Sequence, residues 1–348
     1  MEKKYKTEQE GHLLRIIALK DFSDVKKGDK GGLIEKENNL SHTGNCWVYK
    51  NARVFGNAYV GGNAKIYGKA EVFEKAIVYE DACVYEDAFV YGHAEVSGNA
   101  KVHGCARVFE RAKICGNAKI YEFACVSGKA LVCGDSKVLG SAGISEQAWI
   151  FGNARVDGRA TVSGENVRVY ERAHISGAAS VRDDASVYGK AWVYGGGVYG
   201  NARVFGRARV YGECQLWDNS NVFGNAKIHE YAKIFNNAQV YGDAKVSGGV
   251  SIGGDARIHG NALVYKDARV WGNVDIFGDV QLRSTNNSFY TSSIKNSKDY
   301  VIILGAKDEF RIFPSNIKNL IDKEDISIVE KDYVRNIKTI RQLYDKEI

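Results

Sequence analysis

Lys65, Lys101, Lys119, Lys137 and Arg155 stand at multiples of eighteen residues from one another, and Tyr49, Tyr67, Tyr85, His103 and Tyr121 keep the same interval. If three short elements make one turn of the chain, each set becomes a column, with amines beside aromatic rings. Cations next to π-faces can grip a polyanion or stack on bases or sugars. The formal net charge of +6 permits such a partner without requiring one. Arg209, Lys227 and Lys245 continue the basic column further along the chain, while Asp81, Asp87 and Asp135 temper its potential. The plainer reading is that long cationic side chains keep a flat β-face soluble.

A second set, Tyr59, Ile77, Tyr79, Leu131, Cys133, Trp149 and Phe151, shares another face and is less polar. An apolar patch of that extent marks a contact surface, either between copies of the chain or for its own C-terminal segment. The remaining face is mixed, with Phe55, Phe73, Tyr91 and Phe109 giving way to Ser127, Ser145 and Ser163. Its lack of regular threonine rows gives no support to a flat ice-binding array.

Catalytic and metal-binding signals are sparse. His103, His174, His229 and His259 occupy positions filled elsewhere by Tyr, Phe, Lys or Arg, and His93 falls in a corner beside Gly92. No catalytic residue is assigned. His103, between Tyr85 and Tyr121 and near Lys101 and Lys119, is the candidate base if catalysis exists. Corner carboxylates lack the regular pairing a metal would need, so no metal site is expected, and no Gly-Lys-Ser/Thr phosphate loop is present.

The elements that position these residues follow from one six-residue period running from 48 to 282, as in Val54-Phe55-Gly56-Asn57-Ala58-Tyr59 followed by Val60-Gly61-Gly62-Asn63-Ala64-Lys65. The branched aliphatic residue points inward and its neighbours outward, because side chains alternate along a strand. Gly-Asn, Gly-Asp and Glu-Asp pairs turn the corners, and alanine fills the tight inward position beside them. The register holds to Val162, reopens one residue late at Val169 after Glu165-Asn166, and one early at Val198 after Gly195-Gly196-Gly197. A single proline, Pro314, lies outside the repeat, as ladders of strand hydrogen bonds require.

This hexad pattern resembles the hexapeptide-repeat superfamily, over residues 48 to 282. The resemblance implies an all-β fold, a left-handed parallel β-helix of about thirteen coils. It also implies homotrimers and an acyltransferase activity with an acyl-CoA donor and a histidine base between subunits. The lead-in, Asp21 to Ile34 and then Asn39-Leu40-Ser41 with Gly44-Asn45-Cys46-Trp47-Val48-Tyr49, looks like that of bacterial and phage members, described as acyltransferases or of unknown function. This chain departs from the superfamily in two ways. Its second hexad position is often aromatic, and its coils carry no long loops of the kind that wrap an acyl donor.

Residues 1–47 are therefore expected to cap the solenoid, 48–283 to form it, and 284–348 to make a small α+β module. Strands are expected at 289–294, 300–304 and 310–313, and a helix at 331–344. The start of the chain is charged and lacks a signal-peptide core, no apolar run suits a membrane span, and a cytoplasmic location is the default. The seven cysteines show no disulfide framework; Cys115 and Cys133, on adjacent coils, are expected as reduced thiols. The reading favoured is a non-enzymatic rigid scaffold that presents basic and aromatic ladders to a protein or polyanion partner, without a cofactor. An acyltransferase using acyl-CoA is the alternative.

Overall fold

The computed structural model describes residues 2–273, 275–279 and 281–284; the expected strands at 289–294, 300–304 and 310–313 and the helix at 331–344 lie outside them. The chain is an all-β parallel solenoid of about 14 turns. It divides into two compact units, Met1–Gly189 and Lys190–Ile348.

In the first unit each hexad contributes a two-residue strand, and strands three hexads apart pair in parallel, for example Arg53↔Glu71↔Phe89↔Arg107 on one face. The second strand residue is the aliphatic one. Val54, Val60 and Ile66 are fully buried, as are Ala52 and Ala64, while Ala58 is almost so. Each buried valine or isoleucine contributes on the order of 1.5–3 kcal/mol, but only with a coil on either side, so stability grows with stacking. The late step expected after Val162 is present: Arg155 pairs with His174, one residue further along than in earlier coils. In the second unit the early step shows as Trp192 pairing with Arg209, and Gly197 then pairs with Gln215.

The corners hold a feature the hexad alone does not announce. Glu74, Glu80, Glu86, Glu110 and Glu122 adopt left-handed backbone, φ 57–61°, where glycine or asparagine is the ordinary choice. Each stacks between glycines of the coils before and after it. The carboxylate reaches the next coil's corner amide: Gly98 donates to Glu80 at 2.6 Å, Gly104 to Glu86 at 2.7 Å, Gly128 to Glu110 at 2.6 Å and Gly140 to Glu122 at 2.8 Å. A charge-assisted bond to an otherwise orphaned N–H offsets the backbone strain.

The lead-in begins with an antiparallel hairpin, β1 (Tyr5–Glu10) and β2 (Leu13–Ala18). The charged opening residues thus form a strand that buries only Tyr5. Strand β3 (Lys30–Ile34) pairs with β2 on one side and, in parallel, with Arg53–Val54 of the first coils on the other. Buried Tyr5 donates to the Leu40 carbonyl at 2.8 Å and stacks on His42, while Phe22 meets Trp47 edge-on. Lys4 is buried with its ammonium donating to the Cys46 carbonyl at 2.8 Å, and burial lowers its pKa.

Candidate functional site

In the first unit the basic column sits on one continuous ladder, Trp47↔Lys65↔Cys83↔Lys101↔Lys119↔Lys137↔Arg155↔His174. Period-two alternation aims these side chains outward because the next residue of each strand is a buried aliphatic. Lys101, Lys119 and Lys137 are exposed and, among the described residues, form no ion pair. The column's two ends differ. Lys65 donates to Asp24 at 2.7 Å, and the Tyr49 hydroxyl donates to the same carboxylate at 2.9 Å. The Lys65 bond, followed by the Tyr49 hydroxyl, holds Asp24 well below its ordinary range, at about 2. Arg155 and His174 share Asp157. The five expected cations therefore reduce to three unengaged ones. Cys83 interrupts the column as a half-buried neutral thiol.

The aromatic column corrects the chemistry expected of it. Tyr67 and Tyr85 stack at 4.8 Å and 3°, Tyr85 and His103 at 4.5 Å and 4°, and His103 and Tyr121 at 5.0 Å and 2°; Tyr49 meets Tyr67 edge-on. These rings spend their faces on one another and turn edges and hydroxyls outward. Base stacking on the interior of the column is therefore excluded. Burial raises the pKa of Tyr49, Tyr85 and Tyr121 and pushes Tyr67 up to about 12, so the phenols remain hydrogen-bond donors at neutral pH. His103 is a rung of this stack, with both ring faces covered and Nδ1 3.5 Å from the Glu86 carboxylate.

A third column runs along the corners and is built from side-chain hydrogen bonds between coils, which turn propensity and charge do not announce. Asn99 donates to Asn117 at 3.2 Å, and Asn117 to Asp135 at 2.9 Å, two residues before each exposed lysine. Such a ladder ends at aspartate, since an ionised carboxylate accepts but cannot donate. Asn63 and Asp81 do the same at 3.0 Å. Face one thus presents amides, ammoniums and aromatic edges in parallel rows.

The apolar face is not contiguous. Its strands run Tyr59↔Ile77↔Glu95↔Lys113↔Leu131↔Trp149↔Arg168, and Lys113 pairs with Glu95 at 3.0 Å between the two apolar groups. Tyr59, Ile77 and half-buried Tyr79 lie on one side of that pair. Leu131, Trp149 and Phe151 lie on the other, where Arg168 covers the Trp149 ring at 5.4 Å and Tyr170 stacks on Phe151. Trp149 remains 45% exposed. At the adjoining corner Cys115 and Cys133 form a disulfide, with Cα atoms 4.7 Å apart; stacked coils bring equivalent positions within bridging range, which overturns the reduced pair expected.

The second unit repeats the basic column as Arg209↔Lys227↔Lys245. Beside it the corner row runs Arg207, Asn225, Asp243, Asn261 and Asp279, with Asn225 donating to Asp243 at 3.0 Å and Asn261 to Asp279 at 2.9 Å. Together these residues line a half-open groove of about 540 Å³. Close by in sequence, half-buried His229 has its pKa lowered, first by burial and then by Lys227 and Lys245 against Glu230, and its buried Nε2 has no partner. The eighteen-residue interval that aligns the strands aligns this corner row as well.

These features define a parallel β-solenoid whose outer surface is organised into rows of repeated chemistry. No protein-family profile matches the chain. A stretch of 37 residues, 11% of the chain, is 51% identical to the uncharacterized acetyltransferase YdcK of Escherichia coli (strain K12). The match spans 11% of that protein's length. Fold and match agree with the hexapeptide-repeat group at a coarse level. Among the described residues no helix is long and apolar enough to cross a membrane.

Proposed function

We propose that this chain is a rigid binding protein that holds a linear polyanion along its basic face. The observation that supports this reading most is the row of Lys101, Lys119 and Lys137, one per coil, exposed and unpaired beside protonated tyrosine edges. Loop-free coils present that row as a flat track, and a track with one cation per strand spacing suits a polymer rather than a compact anion. Changing Lys101, Lys119 and Lys137 together to glutamate is expected to lower the salt concentration at which the protein leaves heparin–agarose, with an unchanged far-UV spectrum. Unchanged retention would remove these three residues from the binding site. The Leu131, Trp149 and Phe151 group is proposed as a self-association surface of the same protein.

A second reading, acetyl transfer from acetyl-CoA to an amine or hydroxyl, is supported by the short match to YdcK. Within it His229 replaces His103 as the candidate base, since its depressed pKa keeps the imidazole neutral. Transfer of radiolabelled acetyl from acetyl-CoA to an acceptor panel, lost in His229→Ala, would support this reading. No transfer by the unaltered protein would remove it.

A further inference from the structure

We infer that the polyanion is an acidic polysaccharide, a chain of uronic acids, and that the groove of the second unit is a further site for it, beside the row of the first unit. This rests on the polyanion reading and narrows it. The groove has two chemistries side by side. Arg209, Lys227 and Lys245 supply one cation per coil, and Arg207 adds a fourth at the rim. Beside them Asn225, Asp243, Asn261 and Asp279 supply uncharged amides and carboxylates. The hydrogen bond from Asn225 to Asp243 uses one amide proton and one carboxylate oxygen, and the Asn261–Asp279 pair is used likewise. Each pair keeps a second amide proton and further acceptor lone pairs for a ligand.

A phosphodiester strand fits this lining poorly. Asp243 and Asp279 lie in the groove itself and call for hydroxyl donors, which a DNA strand lacks along its length, and no ring lines it to stack a base. In the first unit the rings beside the lysines are closed on one another, so the same preference holds there. A uronic acid carries one carboxylate and a set of hydroxyls on each sugar. The carboxylates meet the cation row, while the hydroxyls donate to Asp243 and Asp279 and exchange hydrogen bonds with the asparagine amides. Coils repeat at about 4.8 Å, close to the advance of an extended pyranose chain per sugar, so successive sugars fall on successive coils.

The test is calorimetric titration of the full-length protein with oligogalacturonates of increasing length, with neutral oligomaltose and oligo-dT of matched charge as comparators. Affinity is expected to rise with length until three sugars engage Arg209, Lys227 and Lys245, and then to level; oligomaltose is expected not to bind. Lys227→Gln combined with Lys245→Gln is expected to weaken oligogalacturonate about tenfold, as two charge pairs within the usual range for partly exposed groups. These positions are on the surface rows, so the far-UV spectrum should not change. Oligo-dT binding more tightly than oligogalacturonate would overturn the polysaccharide assignment and leave the polyanion reading standing. Oligogalacturonate binding that ignores the Lys227/Lys245 change would overturn the groove. Binding of neither polymer would overturn both the inference and the reading beneath it.

Discussion

The corner columns make a quantitative prediction about Gly128→Ala. Gly128 has φ 68° and sits between Glu110 and Glu146 of the neighbouring coils. A Cβ there would lie 2.5 Å from the Glu146 amide nitrogen, 2.6 Å from its carbonyl oxygen and 2.8 Å from its Cα. All three are backbone atoms, so no rotamer change relieves the contact and the coil itself must move. Left-handed backbone costs alanine about 1–2 kcal/mol relative to glycine, and overpacking of this kind adds about 1–3 kcal/mol, giving about 2–5 kcal/mol. Gly11→Ala separates the two effects within the same unit, because Gly11 has φ 65° but nothing within 4 Å of its Cβ position; its expected cost is about 1–2 kcal/mol. Glu110→Gly is the converse. It releases the strain but loses the 2.6 Å bond to the Gly128 amide, so it should change stability by less than about 1 kcal/mol. Guanidinium unfolding followed by far-UV circular dichroism measures all three. Equal losses for Gly128→Ala and Gly11→Ala would refute the stacking argument, as would a loss of several kcal/mol for Glu110→Gly.

Two further perturbations test the lead-in and the apolar face. Asp24 in the folded protein titrates at about 2 against an ordinary 3.8, so its contribution is present above about pH 4 and lost as pH falls through about 2. The melting temperature of Asp24→Asn should therefore lie below that of the unaltered protein at pH 6 and converge on it near pH 2; a gap that persists unchanged at pH 2 would contradict the Lys65–Asp24 account. Trp149→Glu combined with Leu131→Glu should lower the mass found by light scattering if this part of the apolar face joins copies, and an unaltered mass would remove it from self-association.

The hexad fixes so much here because one short period decides everything that repeats. Inward Val and Ala, the pairing partners and both register steps could be read from spacing, since a shift of one residue would turn every aliphatic side chain outward. What spacing does not carry is rotation about side-chain bonds. The Tyr67–Tyr121 column was legible as a column, but whether its rings would show faces or edges depends on packing against rings one coil away. The glutamate corners were legible as corners, yet not as left-handed residues, because the compensating bond comes from a glycine amide on the next coil. Glu95 and Lys113 stand at the same interval as the apolar residues around them, and their ion pair divides that face. Cys115 and Cys133 were placed on adjacent coils correctly, and the error lay in weighing composition above proximity.

The alternation of glutamate and glycine also bears on how such a chain can lengthen. Along one corner of the first unit the residues run Gly56, Glu74, Gly92, Glu110, Gly128 and Glu146. Duplicating the single coil that carries Glu110 would set glutamate against glutamate, placing two carboxylates on successive coils where a glycine now separates them. Duplicating two consecutive coils restores the pattern at the seam. At this corner the natural quantum of insertion or deletion is therefore a pair of coils, and length variants of the solenoid should differ there by whole pairs.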